Sequence, residues 1–344
     1  MAKRGRPPKN KTGLGKISKS KDPIQTISEI VDKKEEIKLT KEQQIRKDKL
    51  NQTLREINLK YKDPLMCKYA KDEPAKESLP FRIKEINDFL GGGAVYGNFI
   101  IIWGSESVGK TSLCFEQIIQ AQLENKNVIY IDMEHTLDKE RAKKIGVDLD
   151  KLVIIENAET AEQAMDITIK FAKDKCVDLL IIDSIQAMSP KGEQFKGKAN
   201  TEKSMEDNNV ALLARKMSEF LRRTASAVYK GKMAVILVGQ ARTGGIGSFA
   251  THEELTGGRA EKFYSLLTVH MRKGQGADAP TISEKKEVIE LNDEGEKVKK
   301  IKTIQKKIGF NVVLTINKTK KSNSQTEMSE LRLPYYYKSG FIKE

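Results

Sequence analysis

Cysteine and histidine are scarce, at three residues each in 344. Cys67, Cys114 and Cys176 share no metal-ligand spacing, and an odd number does not read as a disulfide framework. They read as reduced thiols of a cytoplasmic chain, with Cys114 expected to face the core. His135, His252 and His270 are too scattered in sequence to suggest a metal site. No apolar run approaches the roughly 20 residues of a membrane span, and the N-terminus lacks the apolar core of a signal peptide. No membrane partner is expected. The first 21 residues contain no acid and few large apolar groups. Such a segment buries too little surface to offset its chain entropy and is expected to be disordered when free.

Positive charge is abundant. Lys and Arg number 62 against 48 Asp and Glu, a net charge of +14. That excess favours a polyanionic partner, although a lysine-rich surface serving solubility alone has the same composition. Eight of the basic residues fall in the first 21 positions.

One motif carries specific chemistry. Gly104-Ser105-Glu106-Ser107-Val108-Gly109-Lys110-Thr111 is a complete G-x-x-x-x-G-K-[ST] phosphate loop. It follows the apolar run Phe99–Trp103 and precedes helical apolar spacing at Leu113, Ile118, Ile119 and Leu123. Strand, loop and helix in that order are the context the motif requires. The glycines let the backbone curl around phosphates, the helix N-terminus adds partial positive charge, and Lys110 adds a full one. The expected ligands are ATP and Mg2+, with the Thr111 hydroxyl on the metal.

The remaining chain reads as follows. Residues 1–39 form a basic tail, and 40–80 a helix and linker. The helix is expected over Thr40–Tyr61 with Thr40 as N-cap. From residue 81 to 344 runs an α/β core: a mostly parallel sheet flanked by helices. Its buried strands are expected at Phe99–Trp103, Val128–Ile131, Val153–Ile155, Leu179–Ile182, Ala234–Val238 and Leu266–Met271. A charged hairpin is expected over 283–308, turning at Asn292-Asp293-Glu294-Gly295, followed by strands at Gly309–Ile316 and Met328–Tyr335.

Open α/β sheets bind ligands beyond the carboxyl ends of their strands. The phosphate loop lies at one such end, and polar residues stand at three others: Asp132-Met133-Glu134-His135, Asp183-Ser184 and Gly239-Gln240. Asp183 pairs with Thr111 on the metal. Glu134 is the carboxylate expected to take a proton from water, and Gln240 the uncharged group expected to register the γ-phosphate. His135 is set aside because adjacent strand residues point to opposite faces. Behind Gln240, the glycine-rich segment Ala241–Gly258 offers Arg242 to phosphate and Phe249 to bases. A second segment, Ser189–Asn209, carries Lys191, Lys196 and Lys198. A plain surface lid has a similar composition.

Taken together, these residues resemble the RecA recombinase family. The matching pieces are Gly104–Thr111, Tyr130–Asp138, Ile145–Asp148, Leu180–Ser184, Gly239-Gln240, Thr256–Gly258, Lys262–Tyr264 and Gly91–Gly97. The resemblance implies a DNA-dependent ATPase that forms a helical filament on single-stranded DNA and exchanges strands with duplex DNA. It implies that Glu134 is the catalytic glutamate, Gln240 the γ-phosphate sensor, and Ser189–Asn209 and Ala241–Gly258 the DNA-binding loops. Ser112, Asp138 and Arg141 join the nucleotide site, and Lys318 and Lys320 reach ATP across a subunit interface. The helix near 41–61 docks on a neighbouring subunit, or else packs on its own domain.

Two departures from the family pattern stand out. Arg141 occupies the position of an adenine-flanking aromatic, and the chain leaves no room for the C-terminal domain of bacterial RecA. Shortened versions like this most resemble phage-encoded recombinases, the T-even type among them. The run Lys3-Arg4-Gly5-Arg6-Pro7-Pro8-Lys9 resembles an AT-hook, whose Arg4, Gly5, Arg6 and Pro7 suit a narrow A·T minor groove. A generic basic arm has similar residues. The alternatives to a recombinase are a RecA-like mediator or motor without strand exchange, and an AT-hook architectural protein.

Overall fold

The computed structural model describes residues 39–63, 66–72, 75–188, 195–196, 201–202, 212–244, 252–255, 263–275, 279–291 and 297–342. The chain divides into two compact units, Met1–Ala75 and Lys76–Glu344.

In the first unit, α1 spans Lys41–Tyr61. Thr40 accepts the Gln43 N–H while the Gln43 side chain accepts the Thr40 N–H, a reciprocal capping box. Lys62, at φ 52°, ends the helix in a left-handed turn. Ile45, Leu50 and Leu59 on this helix are exposed.

In the second unit, a short pair, β1 (Ser78–Leu79) and β2 (Ala94–Val95), brackets α2 (Lys84–Phe89). The main sheet is built from β3 (Phe99–Gly104), β4 (Val128–Asp132), β5 (Leu152–Ile155), β6 (Leu179–Asp183), β9 (Ala234–Gly244), β11 (Ser265–Lys273), β14 (Gly309–Thr319) and β15 (Glu330–Tyr336). Its order is β15-β14-β11-β3-β9-β6-β4-β5. From β11 to β5 every pairing is parallel, and β14 and β15 add antiparallel edges. The crossovers are α3 (Lys110–Leu123), α4 (Lys139–Ile145), α5 (Ala161–Asp174) and α6 (Leu212–Gly231).

Strands buried on both faces need unbroken apolar runs, and β3 and β6 are buried at every residue. Alternation divides their side chains between two cores. Ile100 and Ile102 join the α3 and α4 side, while Phe99, Ile101 and Trp103 join the α5 and α6 side. Cys114 lies in the first core, and burial pushes its thiol well above the ordinary range.

All the expected strands form, so the fold class stands as read. Two details differ. Residues 189–209 contain a short antiparallel pair, β7 (Phe195–Lys196) and β8 (Thr201–Glu202). The segment behind Gln240 does not begin as a loop: β9 continues to Gly244 and pairs with β10 (His252–Leu255), placing Arg242 opposite Glu254. The ladder supplies the backbone partners that a glycine-rich loop lacks. The charged hairpin is formed by β12 (Thr281–Leu291) and β13 (Lys297–Lys307), in register from Thr281↔Lys307 to Leu291↔Lys297. Its turn lies outside the described residues. So do Arg4, Gly5, Arg6, Pro7, Lys191, Lys198 and Phe249, and the side chains of Lys196 and Arg242.

Candidate functional site: a phosphate loop among four strand ends

Parallel strands put all their carboxyl ends on one edge, and the polar residues collect there. Gly109 is the N-cap of α3, with φ 96°. A Cβ at Gly109 would stand 2.8 Å from the Tyr335 ring, so both the turn and the packing require glycine. The cap makes no side-chain hydrogen bond, and the first turn of α3 holds no acid. Its leading N–H groups and dipole therefore offer uncompensated positive potential to an anion. Lys110 curls back over the loop and donates to the carbonyls of Gly104 (2.9 Å) and Ser105 (2.7 Å). Burial pushes its ammonium below the ordinary lysine range, against the pull of Asp183 and Glu134.

The Thr111 hydroxyl donates to Asp183 Oδ2 at 2.9 Å. Tyr130, two residues short of the end of β4, donates to the same oxygen at 2.7 Å. Burial pushes the Asp183 carboxyl up, while the Tyr130 and Thr111 hydrogen bonds pull it down. A buried carboxylate beside a hydroxyl is a hard, all-oxygen donor pair. It fits Mg2+, which binds through one or two carboxylates plus phosphate and water rather than in a closed cage. The described residues contain no cluster of three or more His, Cys, Asp or Glu that could hold a metal alone.

Glu134 stands just past β4. The buried carboxylate of Asp132 accepts the N–H groups of Glu134 (3.2 Å) and Leu137 (2.9 Å), which fixes this turn. Glu134 Oε1 accepts from Gln240 Nε2 at 2.7 Å and from the Ser184 hydroxyl. The proposed base and sensor are thus in direct contact. The argument that set His135 aside does not hold, because β4 stops at Asp132 and alternation ends with it. His135 is exposed at φ 56° and lines a different concavity, with Asp132, Leu137 and Asp138.

A concavity of about 390 Å³ lies over the phosphate loop. That volume is in the range of small-molecule sites. Ser107, Gly109, Lys110, Thr111 and Ser112 form one wall, and Arg141, Lys273, Phe310, Tyr335 and Tyr337 the other. Arg141 donates to the Tyr335 hydroxyl (2.8 Å) and the Tyr337 carbonyl (2.8 Å), and Ser112 bonds the Tyr335 hydroxyl at 2.7 Å. Asp138, expected in the nucleotide site, caps α4 by accepting the Arg141 N–H at 2.8 Å and lines the neighbouring concavity. Lys318 and Lys320 do not line the phosphate-loop concavity. They donate to the carbonyls of Ser265 (3.2 Å) and Phe263 (2.7 Å). Burial, then the charge of Lys320, pulls Lys318 down to about 8.

Sequence reasoning missed Tyr130, Gln186, Phe310, Tyr335 and Tyr337. The triplet Tyr335-Tyr336-Tyr337 is a local aromatic cluster in a chain with 6% aromatics, and it could have been noticed.

Residues 47–316 match the family model described as the RecA N-terminal domain. Among curated proteins, the chain is 39% identical to "Protein RecA" of Petrotoga mobilis, over 53% of this chain and 48% of that protein. It is 34% identical to "Protein RecA" of Oceanobacillus iheyensis, over 67% of this chain and 65% of that protein. For "Protein RecA" of Mesoplasma florum the figures are 38% identity, 54% of this chain and 53% of that protein. The chain spans about half to two thirds of the length of these relatives.

Proposed function

Since this chain belongs to the RecA family, we propose that it is a DNA-stimulated ATPase that assembles on single-stranded DNA and promotes homologous pairing and strand exchange. One observation carries the reading most: the Glu134–Gln240 contact, at 2.7 Å, joins a proton acceptor to the root of the segment Ala241–Gly258. A phosphate-dependent change at Gln240 has a direct backbone route, through β9, into that segment.

In this reading Lys110, Thr111 and the amino end of α3 hold the triphosphate. Thr111 and Asp183 would hold Mg2+, which would supply positive charge against the phosphates. Glu134 accepts the proton of the attacking water at its carboxylate. Tyr335 and Arg141 bound the concavity where a base would lie, so the aromatic missing at position 141 is replaced from β15. Lys318 and Lys320 act across a subunit interface on a neighbour's nucleotide, and α1 presents Ile45, Leu50 and Leu59 to that neighbour. The proposed setting is the cytoplasm, and the proposed functional type a shortened, phage-type recombinase. Purified chain, ATP, Mg2+ and homologous DNA substrates test the reading through joint-molecule formation.

The AT-hook-like tail is proposed to gather A·T-rich duplex. A chain lacking residues 1–12 is expected to bind duplex about tenfold more weakly while keeping its single-strand-stimulated ATP hydrolysis. Unchanged duplex affinity, measured by fluorescence anisotropy, would rule this out. The mediator, motor and architectural alternatives have no observation favouring them over strand exchange.

A further inference from the structure

The end of β6 and the turn after it reach both Thr111 and Glu134. Asp183 meets Thr111 and Tyr130, and Ser184 meets Glu134. Two residues on, Gln186 makes a contact with no counterpart in the roles described so far. Its Oε1 accepts the Gln240 N–H at 2.8 Å, and its Nε2 donates to the Gln240 carbonyl at 3.3 Å. One side-chain amide thus grips both polar groups of a single peptide residue, as a neighbouring strand would. The side chain of that residue, Gln240, in turn reaches Glu134.

The location makes the grip necessary. At the level of Gln240, β9 has run past β6: the β6–β9 ladder ends at Ile182↔Leu237. Gln186 stands on the turn Ile185–Ala187 that replaces the strand there. Only an amide offers an acceptor and a donor at matched spacing. The approach is also close: a Cβ on Gly239 would lie 3.6 Å from Gln186 Nε2 and 2.6 Å from Leu255 Cδ1. The grip therefore sits where β10 folds back on β9.

We infer that Gln186 is a positioning residue for ATP hydrolysis: it holds the Gln240 backbone so that the Gln240 amide meets Glu134, and so ties the metal-side turn to the nucleotide sensor. This deepens the proposed function and rests on it. Gln186 is not among the residues that line the concavity over the phosphate loop, so its effect is expected on turnover and coupling rather than on ATP binding.

Gln186→Met keeps side-chain volume and removes both hydrogen bonds. Two quantities are read on full-length protein: steady-state ATP hydrolysis with single-stranded DNA, and the ratio of DNA affinities with a non-hydrolysable ATP analogue and with ADP. The variant is expected to lose about tenfold in kcat, with KM for ATP within about twofold, and to lose about tenfold in the affinity ratio. Gln186→Glu keeps the acceptor and loses the donor, and is expected to fall between wild type and Gln186→Met. If Gln186→Met does not fold, Gln186→Glu reads the same two quantities. Variants that turn over and couple like wild type overturn the inference, as does a rise in KM with kcat unchanged. A wild-type protein whose DNA affinity ignores the nucleotide overturns the functional reading, and this inference with it.

Discussion

Lys110→Ala is expected to lower ATP turnover by at least about 100-fold and to abolish strand exchange. Lys110 is the one cation that α3 itself places at the phosphate loop, and Ala leaves only N–H groups and the helix dipole there. The fold is not expected to suffer. Burial pushes the Lys110 ammonium below its ordinary range, so the native structure disfavours the charge it holds. Ala removes a disfavoured buried charge but also the hydrogen bonds to the Gly104 and Ser105 carbonyls, so the two effects oppose and thermal stability is expected to change little. Turnover and a melting curve on the same preparation check both halves. Robust hydrolysis contradicts the site, and a large drop in melting temperature contradicts the assignment of Lys110 to function rather than folding.

Glu134→Gln separates chemistry from binding. The amide is nearly isosteric and can still accept from Gln240 and Ser184, but it no longer takes a proton at neutral pH. Turnover is expected to fall about 100- to 10,000-fold, the span of general-base contributions. ATP affinity is expected to stay within a few-fold, because Lys110, Thr111 and Asp183 are untouched. Equilibrium binding of a fluorescent ATP analogue, set beside single-turnover hydrolysis, distinguishes the two. Equal losses in both would place Glu134 in binding, and an unaffected rate would move the base elsewhere.

Much of this site was legible in the sequence because parallel sheets write it in a simple form. Each strand is a short apolar run with a polar residue at its end, and the chain returns every such end to the same edge. Thr111 and Asp183 could be paired without coordinates on that ground, and they meet at 2.9 Å. The helix cap at Thr40 was legible too, because capping is local.

What failed to show had no local pattern. Tyr335 arrives on an antiparallel edge strand, 223 residues from its partner Ser112. Nothing near Arg141 says which residue will lie across from it. Gln186 is an ordinary polar residue after a strand, and its meaning depends on β9 outrunning β6. His135 shows the opposite fault. A rule of strand alternation was extended past the last strand residue, where a positive φ turns the chain and the rule lapses.

Strand exchange tests the central claim most directly. Full-length protein is mixed with circular single-stranded DNA, homologous linear duplex, ATP and Mg2+, and products are resolved on agarose gels. Joint molecules and nicked circles that require ATP, homology and intact Glu134 are expected. Filaments visible on the single strand, with no joint molecules from homologous duplex, would contradict the account.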